Sequence, residues 1–169
     1  MERKLVTLRK IDNLAPIDGA DAIEVATVDG WKLVVKKGEF QIGDMCVYFE
    51  IDSFLPKSDE RFAFIMRSGV RTFEGAEGHK LRTIKLRGQI SQGLALPVHL
   101  FVNDLHGATI HDDLSPLLGI KKWEAAIPAE LAGQVEGLFP SFIRKTDQER
   151  CQNIGKRIFG YVDTYEDFE

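Results

Sequence analysis

The chain has 169 residues, 44% of them hydrophobic and 28% charged, an ordinary globular composition with length for one good core and an appended piece. Its 22 Lys and Arg stand against 26 Asp and Glu, for a net charge of -4, so any nucleic-acid contact has to come from a local patch rather than a global basic field. Cys46 and Cys151 lie far apart with no Cys-x-x-Cys, which speaks against zinc and for reduced thiols, and no apolar run reaches the length of a membrane span. The charged start Met1-Glu2-Arg3-Lys4 has no apolar signal region behind it, so a cytoplasmic protein with no membrane partner is expected.

In chain order, residues 4–11 alternate imperfectly and predict a first strand with Leu5 or Val6 on its buried side. Residues 13–21, with Pro16 and Gly19, predict a turn. Residues 22–28 and 31–35 flank Asp29-Gly30, the strongest short hairpin signal in the chain. Residues 45–51 form an apolar run rich in β formers and predict a fourth strand, ended by Ser53-Phe54-Leu55-Pro56. Residues 58–67 predict a short helix with Ser58 as N-cap and Phe62, Ile65 and Met66 along one side. Residues 73–79, with two glycines and two glutamates, predict a mobile surface loop.

Residues 81–97 carry the most information. Residues 83–87 are β-branched and alternating, and Gly88 and Gly93 bracket Gln89-Ile90-Ser91-Gln92 as a tight polar turn. Period-two geometry sends Thr83, Lys85 and Arg87 to one face and Arg82, Ile84 and Leu86 to the other, so two cations stand side by side on a surface suited to a phosphate backbone. The plainer alternative is a solvated face whose charges keep an edge strand from aggregating.

Several short strands with glycine turns, one interposed helix and no βαβ rhythm give a mainly β fold class, a small five-stranded barrel with additional short helices toward the C-terminus. Beyond Pro97, residues 99–105, 116–120 and 121–124 read as short helices and loops, and residues 125–137 as an Ala/Gly-rich connection. No phosphate-cradling Gly-x-x-x-x-Gly-Lys-[Ser/Thr] or Gly-x-Gly-x-x-Gly occurs. His106 and His111 beside Asp104, Asp112 and Asp113 match no usual metal-ligand spacing, and a solvated acidic loop is expected there. Ser91 lies between glycines without the nucleophile pattern Gly-x-Ser-x-Gly and is read as a turn serine.

Gly19-Ala20-Asp21, Lys36-Lys37-Gly38, Gly43-Asp44 and the run Lys85-Leu86-Arg87-Gly88-Gln89-Ile90-Ser91-Gln92-Gly93 resemble an OB-fold module, and tRNA-binding OB domains attached to synthetases share the Arg-Gly-x-x-Ser-x-Gly logic. The whole chain is similar to the amino-terminal part of ATP-dependent RNA ligases that place an OB domain ahead of the nucleotidyltransferase domain. Their Phe-Pro-x-Phe-Ile-x-Lys-Thr-Asp-x-x-Arg-x-Gln-Asn run is reproduced nearly throughout by residues 139–153. Such ligases attach AMP to the lysine of Lys-x-Asp-Gly, whose amine must be deprotonated to attack the α-phosphate. The Asp-Gly pairs here, Asp18-Gly19 and Asp29-Gly30, are preceded two residues earlier by Pro16 and Thr27, so no catalytic residue is expected.

The resemblance implies an OB domain over residues 1–120, a connector over 121–137, and the opening of a nucleotidyltransferase domain over 138–169, cut just before the active lysine. Lys145, Asp147, Glu149 and Arg150 would then lie near the site of the whole enzyme or, alone, form a charged helix start. It also implies a role in RNA repair, with RNA, as a nicked duplex or single strand, and the ligase catalytic domain as partners. No cofactor is implied for the fragment; ATP and magnesium belong to the full-length ligase. OB barrels grip strands with a cationic groove and aromatic platforms, for which the candidates are Lys85 and Arg87, with Arg82 and Lys80 beside them and Lys36, Lys37 and Trp31 on the neighbouring hairpin. Two other readings stay open: a protein-interaction module whose basic residues meet an acidic surface, and a free-standing tRNA-binding protein.

Overall fold

A computed structural model describes residues 3–105 and 107–125 of the chain. The predicted hairpin is present. Strand β3 (Ala20–Val28) returns as β4 (Trp31–Lys36) through Asp29 and Gly30, whose φ angles of 46° and 83° are those of the turn that matches the right-handed twist of its flanking strands. The predicted turn at 13–21 is instead mostly a strand, β2 (Asn13–Ile17), paired with β3. Pro16 is tolerated because β2 is the edge of its sheet, where a missing N–H costs no ladder bond, and the register shifts between Pro16 and Ile17.

Strand β1 (Val6–Lys10) pairs with β5 (Met45–Phe49), which pairs on its other side with β11 (Leu94–Pro97). Two backbone bonds stitch this sheet to β2–β3–β4: Asp12 N donates to Thr27 O and Gln92 N to Lys32 O, each at 2.8 Å. These bonds, made by residues flanking β1 and β11, set β1, β3, β4, β11 and β5 in the five-strand order expected of the barrel, with the two sheets otherwise paired separately.

Residues 50–93, between β5 and β11, hold most of what the sequence misreads. Ser53-Phe54-Leu55-Pro56 does not end a strand but is one, β6 (Ser53–Pro56), with Pro56 at its last position. The helix at 58–67 is two 3-10 turns, Glu60–Phe62 and Ile65–Ser68, and the first is capped by Asp59 rather than Ser58, its carboxylate accepting from Arg61 N at 3.0 Å. The predicted loop at 73–79 is a second hairpin, β7 (Arg71–Phe73) and β8 (Ala76–Lys80), turning at Glu74 and Gly75 with φ of 50° and 81°. Beyond the barrel, Lys121 and Lys122 form β12 (Lys121–Lys122) and extend the sheet to β12–β6–β8–β7. Among the expected short helices near the C-terminus, a 3-10 turn occupies Val98–Phe101.

This addition is a jacket on one side of the barrel. Cys46 and Tyr48 of β5 face the interior with Ile11, Leu33 and Val35, whereas Val47 and Phe49 face outward onto Leu55, Phe62, Phe101 and Leu118. Burial on both faces is why β5 reads as an unbroken apolar run. The same holds for β1, where Val6 and Leu8 join the jacket side and Thr7 is buried as well, so neither Leu5 nor Val6 marks a single buried side. Phe49 is the hinge of this packing, edge-on to Phe62 at 5.4 Å and tilted against Phe101 at 5.9 Å. Met1–Ala125 forms a compact unit that takes in residues 121–125 of the expected connector; the rest of that connector and the expected ligase-domain start lie outside the described residues.

Candidate nucleic-acid interface

Residues 78–102 contain Lys80, Arg82, Lys85 and Arg87 and no Asp or Glu, and the fold delivers these four cations to two neighbouring places. The first is a two-stranded ribbon, β9 (Ile84–Leu86) and β10 (Gln89–Ser91). Its turn is Arg87-Gly88, at φ of 48° and 82°, so Gln89, Ile90 and Ser91 are strand rather than the expected polar turn, and Arg87 sits outside the period-two alternation that was to align it with Lys85. Lys85 stands opposite Ile90 and shares its face; Ile84 and Leu86 stand opposite Ser91 and Gln89 on the other. That second face borders a groove of about 420 Å³ lined also by Val34, Phe64, Leu81 and Leu94, and Ile84 and Leu86 stay 42% and 39% exposed. Ser91 is no turn serine: it is buried, and its Oγ accepts from Val34 N at 3.0 Å, fastening the ribbon to β4.

The second place is a cavity of about 650 Å³ beside β8, lined by Lys80 and Arg82 together with Arg71, His79 and Trp123. Trp123 packs on Phe73 at 5.0 Å and Phe54 at 5.9 Å, and its backbone N donates to Asp52 O at 2.7 Å. The Arg71 guanidinium and the Lys80 ammonium each lie 5.9 Å from the centre of its ring. Lys80 also meets Asp52 at 3.2 Å. His79 is buried with Nδ1 2.6 Å from Gly69 O, so Nδ1 carries the donated proton.

The remaining candidates are elsewhere. Lys36 ends β4 opposite Ile23, with Lys37 in the exposed turn beyond it; Trp31 begins the same strand opposite Val28, in a small recess with Arg3, Tyr48 and Gln92. The structure thus joins Lys80 to Arg82 in one cavity, keeps Lys85 and Arg87 on the ribbon next to it, and leaves Lys36, Lys37 and Trp31 at the two ends of another strand. Arg71 and Trp123 are missed by the sequence reading. Recognising Glu74-Gly75 as a hairpin turn would have placed Arg71 on a strand, and the Lys-Lys-Trp run was the one signal for Trp123.

Other titratable groups have structural work. Arg61 is held by Asp59 at 2.6 Å and Asp104 at 2.5 Å and lies over the Phe101 ring, and the Arg61 guanidinium keeps the Asp59 carboxyl below the usual range. Asp112 is lowered by the backbone N–H of Thr109, with its hydroxyl adding a bond, and Asp113 accepts from Ser115. These carboxylates therefore tie a turn together, and among the described residues no cluster could hold a metal ion. Burial pushes the Cys46 thiol up to about 12 and raises Tyr48 too, whose Oη donates to Gln92 O at 2.7 Å. Lys145, Asp147, Glu149, Arg150 and Cys151 lie outside the described residues. Among the described residues, no helix is long and apolar enough to cross a membrane.

Residues 5–98 match the model of an OB-fold domain family. Among solved structures, the Naegleria gruberi RNA ligase with PPi is 48% identical over 94% of this chain and 47% of its own, with a TM-score of 0.72. Mutants of that ligase with ATP and Mn and with AMP and Mn are each 49% identical over 94% of this chain, at a TM-score of 0.71, and are themselves covered to 47% and 46%. The chain spans about half the length of these ligase chains. No match was found among curated proteins.

Proposed function

The chain belongs to the OB-fold domain family, and from that premise we propose that it is the RNA-binding module of an RNA ligase, holding nicked or broken RNA while a catalytic domain elsewhere in the same protein seals it. The observation that carries the reading is the acid-free cationic run over residues 78–102 in a chain of net charge -4. Lys80 meets Asp52, but Arg82, Lys85 and Arg87 enter no ion pair among the described residues and make a local field for phosphates, and such a field sets affinity and steers encounter without reading sequence. The 48% identity to an RNA ligase makes RNA the phosphate polymer of choice. With no Lys-x-Asp-Gly in the sequence, this module grips and another domain transfers the nucleotide.

The test is a titration of labelled single-stranded RNA at several salt concentrations, with wild type and a variant carrying Lys85→Ala and Arg87→Asn. Asn is chosen at 87 because it accepts the positive φ of that turn position. Each lost phosphate contact flattens the slope of log K against log salt by roughly 0.7, so the pair flattens it by about 1.4 with the melt unchanged. An unchanged slope and affinity would move the ribbon to the protein-interaction reading.

A further inference from the structure

Resting on the RNA-binding reading, we propose that the cavity beside Trp123 is a seat for one unpaired nucleotide of that RNA, its base packed on the indole and its phosphate held by Arg71 and Arg82. Three features converge on it. First, Trp123 is braced by Phe54, Phe73 and its own backbone bond to Asp52, so the platform needs no ordering when a ligand arrives. Second, among the described residues no Asp or Glu lines the cavity and neither Arg71 nor Arg82 enters an ion pair. Arg3, Arg9 and Arg61 do the opposite: each is engaged by carboxylates. Third, the volume of about 650 Å³ admits a base and a phosphate together, with Ser68 and His79 on the wall as further polar groups.

A nucleotide uses both halves of this site. A guanidinium offers a planar fork of donors to a phosphate, and every base has a face to lay on an aromatic ring whatever its identity. An acidic protein segment would satisfy the arginines and leave the indole idle.

The experiment measures binding of the whole chain to a labelled oligo(rA) and to an oligonucleotide with the same number of phosphates and no bases. Wild type is expected to hold oligo(rA) the tighter. Trp123→Leu is expected to weaken oligo(rA) about tenfold and to erase the difference between the two ligands, since one stacked base carries an effect of that order. Trp123→Phe keeps part of the difference. Arg71→Gln with Arg82→Gln weakens both ligands and flattens the salt slope by about 1.4. If Trp123→Leu lowers the melting temperature sharply, Trp123→Phe and the arginine pair decide. A folded Trp123→Leu that binds oligo(rA) like wild type overturns the seat and leaves the RNA-binding reading standing. Equal wild-type affinity for both ligands also overturns it, in favour of an acidic partner, and wild type that binds neither oligonucleotide overturns the RNA-binding reading itself.

Discussion

At Gly93 a single hydrogen in place of a side chain lets β11 begin. Its φ is 110°, and a Cβ there would lie 2.6 Å from Phe49 O and 2.8 Å from Tyr48 Oη. Neither neighbour can give way: Phe49 is clamped between barrel and jacket, and Tyr48 is fully inside and bonded to Gln92 O. Gly75 is the control, since its φ of 81° is also left-handed but nothing lies within 4 Å of its added Cβ. Gly75→Ala should therefore cost about 1 kcal/mol of conformational strain. Gly93→Ala should cost about 3 kcal/mol or more, because a steric clash in packed surroundings adds to it. Urea denaturation of both variants checks this; equal losses would mean that the contact at Gly93 relaxes freely. The sequence shows that Gly93 is a glycine and invites reading it as a turn bracket. What passes beside it, a strand 44 residues earlier through Tyr48 and Phe49, is not a local property.

At the scale of elements, three hairpins share one turn geometry, at Asp29-Gly30, Glu74-Gly75 and Arg87-Gly88, with first-residue φ angles of 46°, 50° and 48°. Asp tolerates the left-handed region because its short side chain bonds locally, so Asp-Gly advertises the turn; Glu and Arg do not, so residues 73–79 read as a loop and the bend within residues 81–97 reads as turning at 88–93 rather than at Arg87-Gly88. The hidden β7–β8 hairpin is what concealed Arg71 and with it half of the proposed nucleotide seat. The barrel strands were legible because they are alternating or uniformly apolar, whereas the jacket strands have two to five residues and owe their form to pairing. Glu74→Asn should therefore raise stability by about 1 kcal/mol, the cost of a left-handed non-glycine residue relieved. It loses the bridge from Lys121, but both groups are more than half exposed and such a pair contributes little. Matched thermal and urea melts measure the change, and a clear loss would show that the bridge outweighs the turn.

For the whole described unit, the question is where the folded domain ends. A barrel finished near Ile120 leaves Lys121-Lys122-Trp123 as connector, as the sequence suggests. The pairing argues for a later boundary: Lys121 lies opposite Phe54 and Lys122 opposite Ser53, Trp123 covers Phe54 and Phe73, and Ile120 is buried in the jacket core. Because Val47 and Phe49 belong to that core while Cys46 and Tyr48 belong to the barrel's, loosening the jacket uncovers one face of the central strand, and the two should melt as one. A chain cut after residue 125 should keep a single cooperative transition. A chain cut after residue 119 loses the strand, the half-buried indole and Ile120, and removing one buried aliphatic side chain alone costs about 3 kcal/mol. For a unit of this size that lowers the midpoint by about 10 °C. Circular dichroism melts of the two truncations at equal concentration compare them directly. Coincident transitions would return the boundary to Ile120 and strip Trp123 of its structural support, whereas two separate transitions in the longer chain would show that barrel and jacket fold independently.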